Sequence, residues 1–292
     1  MTAKNNTKYL FYLILLSLVF LSLNSILYKA AVINDAIAPF SFTFYRLLSG
    51  MLMLMAIYVY KYKKITFQPK KNWVSSLMLF LYAISFSYAY INIDAGFGTL
   101  LLFGVVQIVM VTTSLFHKEK LSLLKITGLV VSLAGLIYLI YPRESFEIPL
   151  FYTIQMILSG TAWAFYSILG KKSFDALGDS TDNFIKASLY IIVFYFIFEI
   201  GTLHVSAEGF LLAIISGGIT SALGYLIWYH VVPQMKIMTA SVIQLFIPIL
   251  TIALSVVFLN ELLTFELIIS TIVVTFGILL TIYSKKQNTT KE

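Results

Sequence analysis

Three cations sit inside long apolar runs of this chain, Lys29, Arg46 and Lys186, and a charge held in hydrocarbon is costly enough to be functional by default. Arg46 is the strongest of them. It lies eight residues into the run 38–60, about 12 Å along a helix that rises about 1.5 Å per residue, which is awkward for a side chain that must reach water. A guanidinium fixed there would recognise an anionic group on a solute or pair with a buried carboxylate. Lys29 stands near the far end of the first apolar run, and Lys186 about one turn from a run boundary, where reaching to the surface is the expected behaviour.

Uncharged polar groups extend the set. Gln107 and Gln244 each stand beside a helix-weakening residue, Gly104 in one run and Pro248 in the other. Interruption frees backbone amides and carbonyls to line a cavity, and two carboxamides there would donate and accept hydrogen bonds to a polar solute; alternatively each bonds a neighbouring helix as interhelical glue. Asn24 has the same standing. Trp163 and Tyr225 lie deep enough in their runs to form apolar cavity walls, whereas Tyr166, Trp228 and Tyr229 are expected as interfacial anchors. Gly217, Gly218, Ser221 and Gly224, and Gly160 with Ala164, read as close-packing surfaces.

The elements that must position these residues are membrane helices. Of 292 residues, 60% are hydrophobic and 11% charged, which excludes an ordinary soluble chain. A bilayer core about 30 Å thick needs about 20 apolar residues per helix. Such spans fall near 9–31, 38–60, 72–92, 95–116 and 123–141, then near 149–169, 181–203, 208–230, 237–259 and 265–283. The run from Tyr9 is longer than a signal core and lacks a small-x-small cleavage site, so it is expected to be retained.

The second five spans repeat the first. Phe116, Glu119, Leu121 and Ser122 are answered 142 positions later by Phe258, Glu261, Leu263 and Thr264. The same register pairs Val131 with Val273 and Gly135 with Gly277, and Ser25–Lys29 with Ser167–Lys171. The two units run 9–141 and 149–283. With the amino terminus inside, the inner segments carry 16 of the 20 Lys and Arg residues and the outer segments only Arg143, which puts both termini in the cytoplasm of a multi-pass protein of the inner or plasma membrane. An odd number of helices per unit points the two copies in opposite directions. The fold class expected is therefore an all-α integral membrane protein of ten transmembrane helices in two inverted five-helix repeats. Such repeats belong to secondary transporters, with the site between the copies. Glu119 and Glu261, at span ends, are expected to cap the helix that follows each of them.

Each half has a span ending in Phe-x-x-Glu-x-Leu-Ser/Thr followed by a glycine-bearing helix. Together with Leu102–Gln107, Ala162–Ser167 and Gly224–Tyr229, this resembles the EamA-type transporters of the drug/metabolite transporter superfamily over nearly the whole chain. The resemblance implies ten helices around a central cavity and movement of small metabolites, often export, without implying one substrate. The chain departs from the family in one place: proline is usual in the fourth helix of each half, and here Pro248 is matched by Val106.

Other chemistries are poorly served. There are no cysteines, so no disulfide, thiolate metal site or cysteine nucleophile is available. The histidines 117, 204 and 230 have no metal-ligand spacing, and no glycine-rich loop ends in Gly-Lys-Ser/Thr. No cofactor is expected. An intramembrane enzyme would need paired catalytic groups at one depth, and none is evident. The net charge of +7 lies on one membrane face, which disposes of nucleic acid as a partner. The expected partners are a small-molecule substrate and the lipid bilayer, with a homodimer allowed. A small anionic or zwitterionic, amino-acid-like solute moved by alternating access is the leading reading, and a non-transporting receptor or scaffold is the rival.

Overall fold

A computed structural model describes residues 3–33, 35–65, 67–117, 122–140 and 150–288. Glu119, Lys118, Lys120 and Arg143 lie outside them. The first helices are α1 (Ala3–Ile33), α2 (Pro39–Tyr62), α3 (Trp73–Ala89), α4 (Ala95–Phe116) and α5 (Leu123–Ile140). Then come α6 (Leu150–Gly170), α7 (Ala176–Phe198), α8 (Ala207–Ile215), a π-helical turn (Ser216–Ser221) and α9 (Ala222–Val231). A 3-10 turn (Val232–Gln234) leads to α10 (Ile237–Gln244), α11 (Phe246–Leu259) and α12 (Phe265–Asn288). The described residues hold no strand, only an isolated bridge between Ile37 and Val205. Among the described residues six stretches are long and apolar enough to cross a membrane: Lys8–Ile33, Pro39–Tyr62, Ala95–Phe116, Ala176–Phe198, Ala207–Gln234 and Ile237–Leu259. Shorter apolar helices occupy Trp73–Ala89, Leu123–Gly135 and Phe265–Gly277.

Helix ends follow local chemistry. Pro39 opens α2 where its missing N–H costs nothing, and Lys63 closes it in the left-handed region at φ 54°. Asp175 and Ser206 cap α7 and α8 by accepting from Gly178 N and Gly209 N, each at 3.1 Å. Asn260 ends α11 at φ 53°. Glu261 does not cap the helix that follows it. Its carboxylate accepts from Ala95 N at 2.6 Å and Gly96 N at 3.1 Å, so it caps α4, whose own N-cap Asp94 makes no side-chain cap bond. The tertiary partner supplies the anion that this helix terminus lacks.

The helices pack across the chain. α5 lies along α12, α3 and α4 along α6, α2 along α7 and the π turn, and α1 along α9 and α11. Lipid gives no hydrophobic drive between helices, so small residues bring backbones close. A Cβ at Gly277 of α12 would stand 2.5 Å from the Gly128 carbonyl of α5, and one at Gly160 of α6 would stand 2.6 Å from the Leu102 carbonyl of α4.

The expected interruption is realised in only one of the two runs. α4 passes through Gly104 without a break, because glycine keeps its N–H and loosens the ladder without opening it. Pro248 cannot donate to the Gln244 carbonyl, and α10 gives way to α11 at Leu245, three residues before the proline. A second irregularity, the π turn, was not visible from periodicity.

Lys186 also differs from expectation. It is fully buried and does not reach to the surface, because the segment between α2 and α3 folds over it. Its ammonium pairs with Asp182 one turn away at 2.5 Å and donates to the carbonyls of Gln68 and Lys71. Trp73 and Phe67 cover it at 5.1 and 5.2 Å. A buried charge is tolerated where it is paired and fully hydrogen-bonded, and here the pair ties α7 to that segment.

Candidate functional site

Arg46 of α2 is 1% exposed. Its Nε donates to Ser221 Oγ at 2.9 Å, and its Nη2 donates to the hydroxyls of Tyr225 and Tyr82, the latter at 3.5 Å. The guanidinium lies 5.6 Å from the Tyr82 ring and 5.4 Å from the Phe86 ring. Among the described residues no carboxylate pairs with it, and its Nη1 has no hydrogen-bond partner. Desolvating an ion costs several kcal/mol even after relaxation; hydrogen bonds involving a charged group return about 1.5–3 kcal/mol each and a desolvated cation–π contact about 2, but none of these supplies a counter-charge. The guanidinium is thus solvated but not neutralised.

The π turn reaches Arg46 because Gly217 lacks a side chain: a Cβ there would stand 2.1 Å from the Arg46 carbonyl. π turns add a residue to a helical turn and occur often at functional sites. This one aims Ser216, Thr220 and Ser221 at a single acceptor. All three hydroxyls donate to Asn24 Oδ1, at 2.9, 2.6 and 3.1 Å. Asn24 Nδ2 is left without a partner. Ser221 therefore joins Arg46 to Asn24, and each end of that chain presents a buried, unused donor.

On the other side of Arg46 stands an aromatic wall. Trp163 of α6 packs against Tyr82 and Tyr225 with centroids 4.9 and 5.0 Å apart. Its indole donates to Gln244 Oε1 at 2.5 Å, and Gln244 Nε2 turns to the Ala240 carbonyl and to the Met110 sulfur. Gln107, on α4 and three residues before Met110, is fully buried with neither amide atom partnered. Trp163→Phe would strip Gln244 Oε1 of this donor inside the bundle; the expected loss is about 1–3 kcal/mol, read as a lower midpoint in thermal denaturation in detergent.

Tyr166, Trp228 and Tyr229 are not interfacial anchors: all three are buried. Tyr166 and Tyr229 continue the wall as a column, with Trp163 to Tyr166 at 5.5 Å and Tyr166 to Tyr229 at 4.7 Å, and the Trp228 indole donates to Ser167 Oγ at 3.0 Å. Tyr229 lines a cavity of about 300 Å³ shared with Lys70, Asn72, Lys172 and Asp179. A second cavity of about 490 Å³ lies between the ends of α1, α2, α7 and α9, beside Lys61, Asp175 and His230.

Of the residues singled out from sequence, Arg46, Asn24, Tyr225, Trp163 and Gln244 are thus one connected cluster, with Gln107 on the adjoining face of α4. Lys29 is not part of it; its ammonium donates to the carbonyls of Tyr90 and Ile93, at 3.2 and 2.9 Å. Pro248 acts through the break it causes, and Gly104 lies within continuous helix. Tyr82, Ser216 and Thr220 carry polar contacts that sequence reading did not assign. The crowding of Ser and Thr around Gly217–Gly218 in an apolar helix was the available signal.

Residues 9–141 and 150–283 each match the EamA-like transporter family. The uncharacterized protein PA1977 of Pseudomonas aeruginosa is 36% identical over 257 residues, covering 88% of each chain. The uncharacterized transporter YoaV of Bacillus subtilis is 24% identical over 259 residues, covering 85% of this chain and 88% of its own. A crystal structure superposes with a TM-score of 0.71 at 16% identity, covering 92% of this chain and 95% of that one, a likeness of fold alone. With both halves matched, the chain belongs to the EamA-like transporter family, and it is a multi-pass membrane protein of the transporter kind.

Proposed function

We propose that this protein is a secondary transporter that moves a small polar metabolite bearing an anionic group, by alternating access between two inverted five-helix halves. The observation that carries the reading is Arg46: a buried guanidinium with no carboxylate, an unused Nη1, and Asn24 Nδ2 equally unused at the other end of the Ser221 bridge. A carboxylate or phosphate on the solute would supply the missing charge and accept from both donors. Gln107 would meet a second polar group on the same molecule, and Trp163, Tyr82 and Tyr225 would cover its apolar part. The column through Tyr166 to Tyr229 leads from this centre to the cavity beside Lys70 and Lys172, which serves as a cytoplasmic vestibule.

The ten-span reading adds α3, α5, α6 and α12 to the strongly apolar stretches. Two family matches in tandem support the repeat. So do helix boundaries: α3 ends at Ala89 and α4 starts at Ala95, while α9 ends at Val231 and α10 starts at Ile237, each 142 positions later. The lysine distribution supports placing both termini inside.

Flux decides the function. Purified protein in proteoliposomes is expected to accumulate labelled carboxylates or amino acids down an imposed gradient, and Gln107→Leu to reduce uptake about tenfold, as for one lost buried hydrogen-bonding pair. A protein that binds these solutes and never moves them is a receptor. Topology has its own check: single cysteines after Lys120 and after Leu262 are expected to react with an impermeant maleimide from opposite sides. Labelling of both from one side sinks the inverted repeat.

A further inference from the structure

The two corners that follow α3 and α9 are fastened in the same way. At the first, Lys29 of α1 donates to the carbonyls of Tyr90 and Ile93. At the second, Lys171, in the turn just past the end of α6, donates to the carbonyl of Met235. Lys171 and Met235 stand 142 positions after Lys29 and Ile93, so one contact is made twice, at the two ends of the repeat register. Both corners come directly after helix C-termini, whose last carbonyls have no helical donor, and a lysine ammonium meets that need with charge as well as hydrogen bonds.

Helix packing gives these contacts a mechanical meaning. α1 packs on α8, α9 and α11, whereas α6 packs on α3 and α4. Each first helix therefore rides with the opposite half. Lys29 reaches from the group of α1, α9 and α11 to the corner between α3 and α4. Lys171 reaches from the group of α3, α4 and α6 to the corner between α9 and α10. The first corner has a further tie, since Glu261, just beyond α11, holds the amides of Ala95 and Gly96. The two groups also meet where α4 packs on α10 and α11, and rocking about that seam would stretch one lysine contact while leaving the other closed.

We propose that Lys29 and Lys171 are the clamps of two gates, Lys29 with Glu261 shutting the outer path and Lys171 shutting the cytoplasmic path; this rests on the transport reading. Both contacts are made here, as the proposal requires of an occluded form between outward-open and inward-open ones. The lysines act on accessibility and take no part in holding the solute.

The chain has no cysteine, so single reporters can be placed without preparing a background. Ser25 lies beneath the outer corner, in hydrogen-bond contact with Tyr90 Oη and Thr99 Oγ1. Its register mate Ser167 lies beneath the inner one, accepting from the Trp228 indole. Ser25→Cys and Ser167→Cys are each combined with Lys29→Met or Lys171→Met in oriented vesicles and labelled with an impermeant maleimide. Lys29→Met is expected to raise labelling of the Ser25→Cys reporter from outside about tenfold, the shift for a lost charged hydrogen-bonding group, and to leave the Ser167→Cys reporter slow. Lys171→Met gives the mirror result from the cytoplasmic side. Glu261→Gln must act in the same direction as Lys29→Met, which guards against a lysine variant that fails to fold, and Lys29→Arg must restore slow labelling. Reporters that do not respond, or that rise together in either variant, overturn the clamps. Wild-type vesicles that carry no solute would instead sink the transport reading, whatever the labelling shows.

Discussion

Arg46→Met is expected to reduce solute transport by at least about thirtyfold while leaving the folded protein as stable as before or more so. Truncating one member of a buried charged pair costs at least about 2 kcal/mol of binding, a factor of about thirty. Stability moves the other way because the guanidinium lacks a counter-charge in the protein itself. An apolar side chain of similar length removes the desolvation cost, and such replacements of buried ions are neutral or stabilising by about 1–4 kcal/mol. The offset is partial: Ser221 keeps its bond to Asn24, while the Tyr82 and Tyr225 hydroxyls each lose a charge-assisted hydrogen bond. Transport rates in proteoliposomes and thermal midpoints in detergent measure the two effects on one preparation. A variant that loses transport only because it unfolds would make Arg46 a structural residue.

Gly217→Ala is expected to destabilise by about 3 kcal/mol and to lower transport, with its neighbour as the control. A Cβ at Gly217 would stand 2.0 Å from Ser49 Oγ and 2.1 Å from the Arg46 carbonyl oxygen. The hydroxyl can rotate away; the carbonyl belongs to α2 and moves only with that helix. Overpacking of this kind typically costs 1–3 kcal/mol, and a backbone clash belongs at the upper end of that range. At Gly218 the nearest atoms are 3.9 Å away, so Gly218→Ala meets no obstacle and gains up to about 1 kcal/mol of helix propensity. Thermal denaturation of the pair separates the two adjacent glycines. Because the strain at 217 falls on the backbone of the residue that bears the guanidinium, its effect should reach transport as well as stability.

Much of this was readable beforehand, and for physical reasons. Apolar length and the positions of lysine mark membrane helices because the bilayer imposes both. Arg46 stood out because nothing apolar requires an arginine at that depth. What stayed hidden depended on partners distant in sequence. Glu261 looked like a cap for its own next helix until α4 proved to be the neighbour lacking an anion. Lys186 looked free to reach the surface because Asp182, the residue that holds it, sits on the same helix at a span edge and only the fold buries both. Tyr166 and Tyr229 read as interfacial from their positions along a helix, but which face each occupies is set by α6 packing on α3 and α4 and by α9 packing on α1 and α7. Gly104 and Pro248 looked equivalent by register and are not, since only proline lacks a donor.

That last difference makes the molecule mechanically lopsided. Both irregular turns, the π segment at 216–221 and the break at Leu245, belong to the second half, whereas α4 in the first half is continuous. The compliance expected of such turns is therefore concentrated in the second half, at two points that touch the cluster around Arg46. Amide protons at 245–247 and 249 should then exchange with solvent deuterium faster than those at 103–107, and a ligand bound at the centre should slow the former far more than the latter.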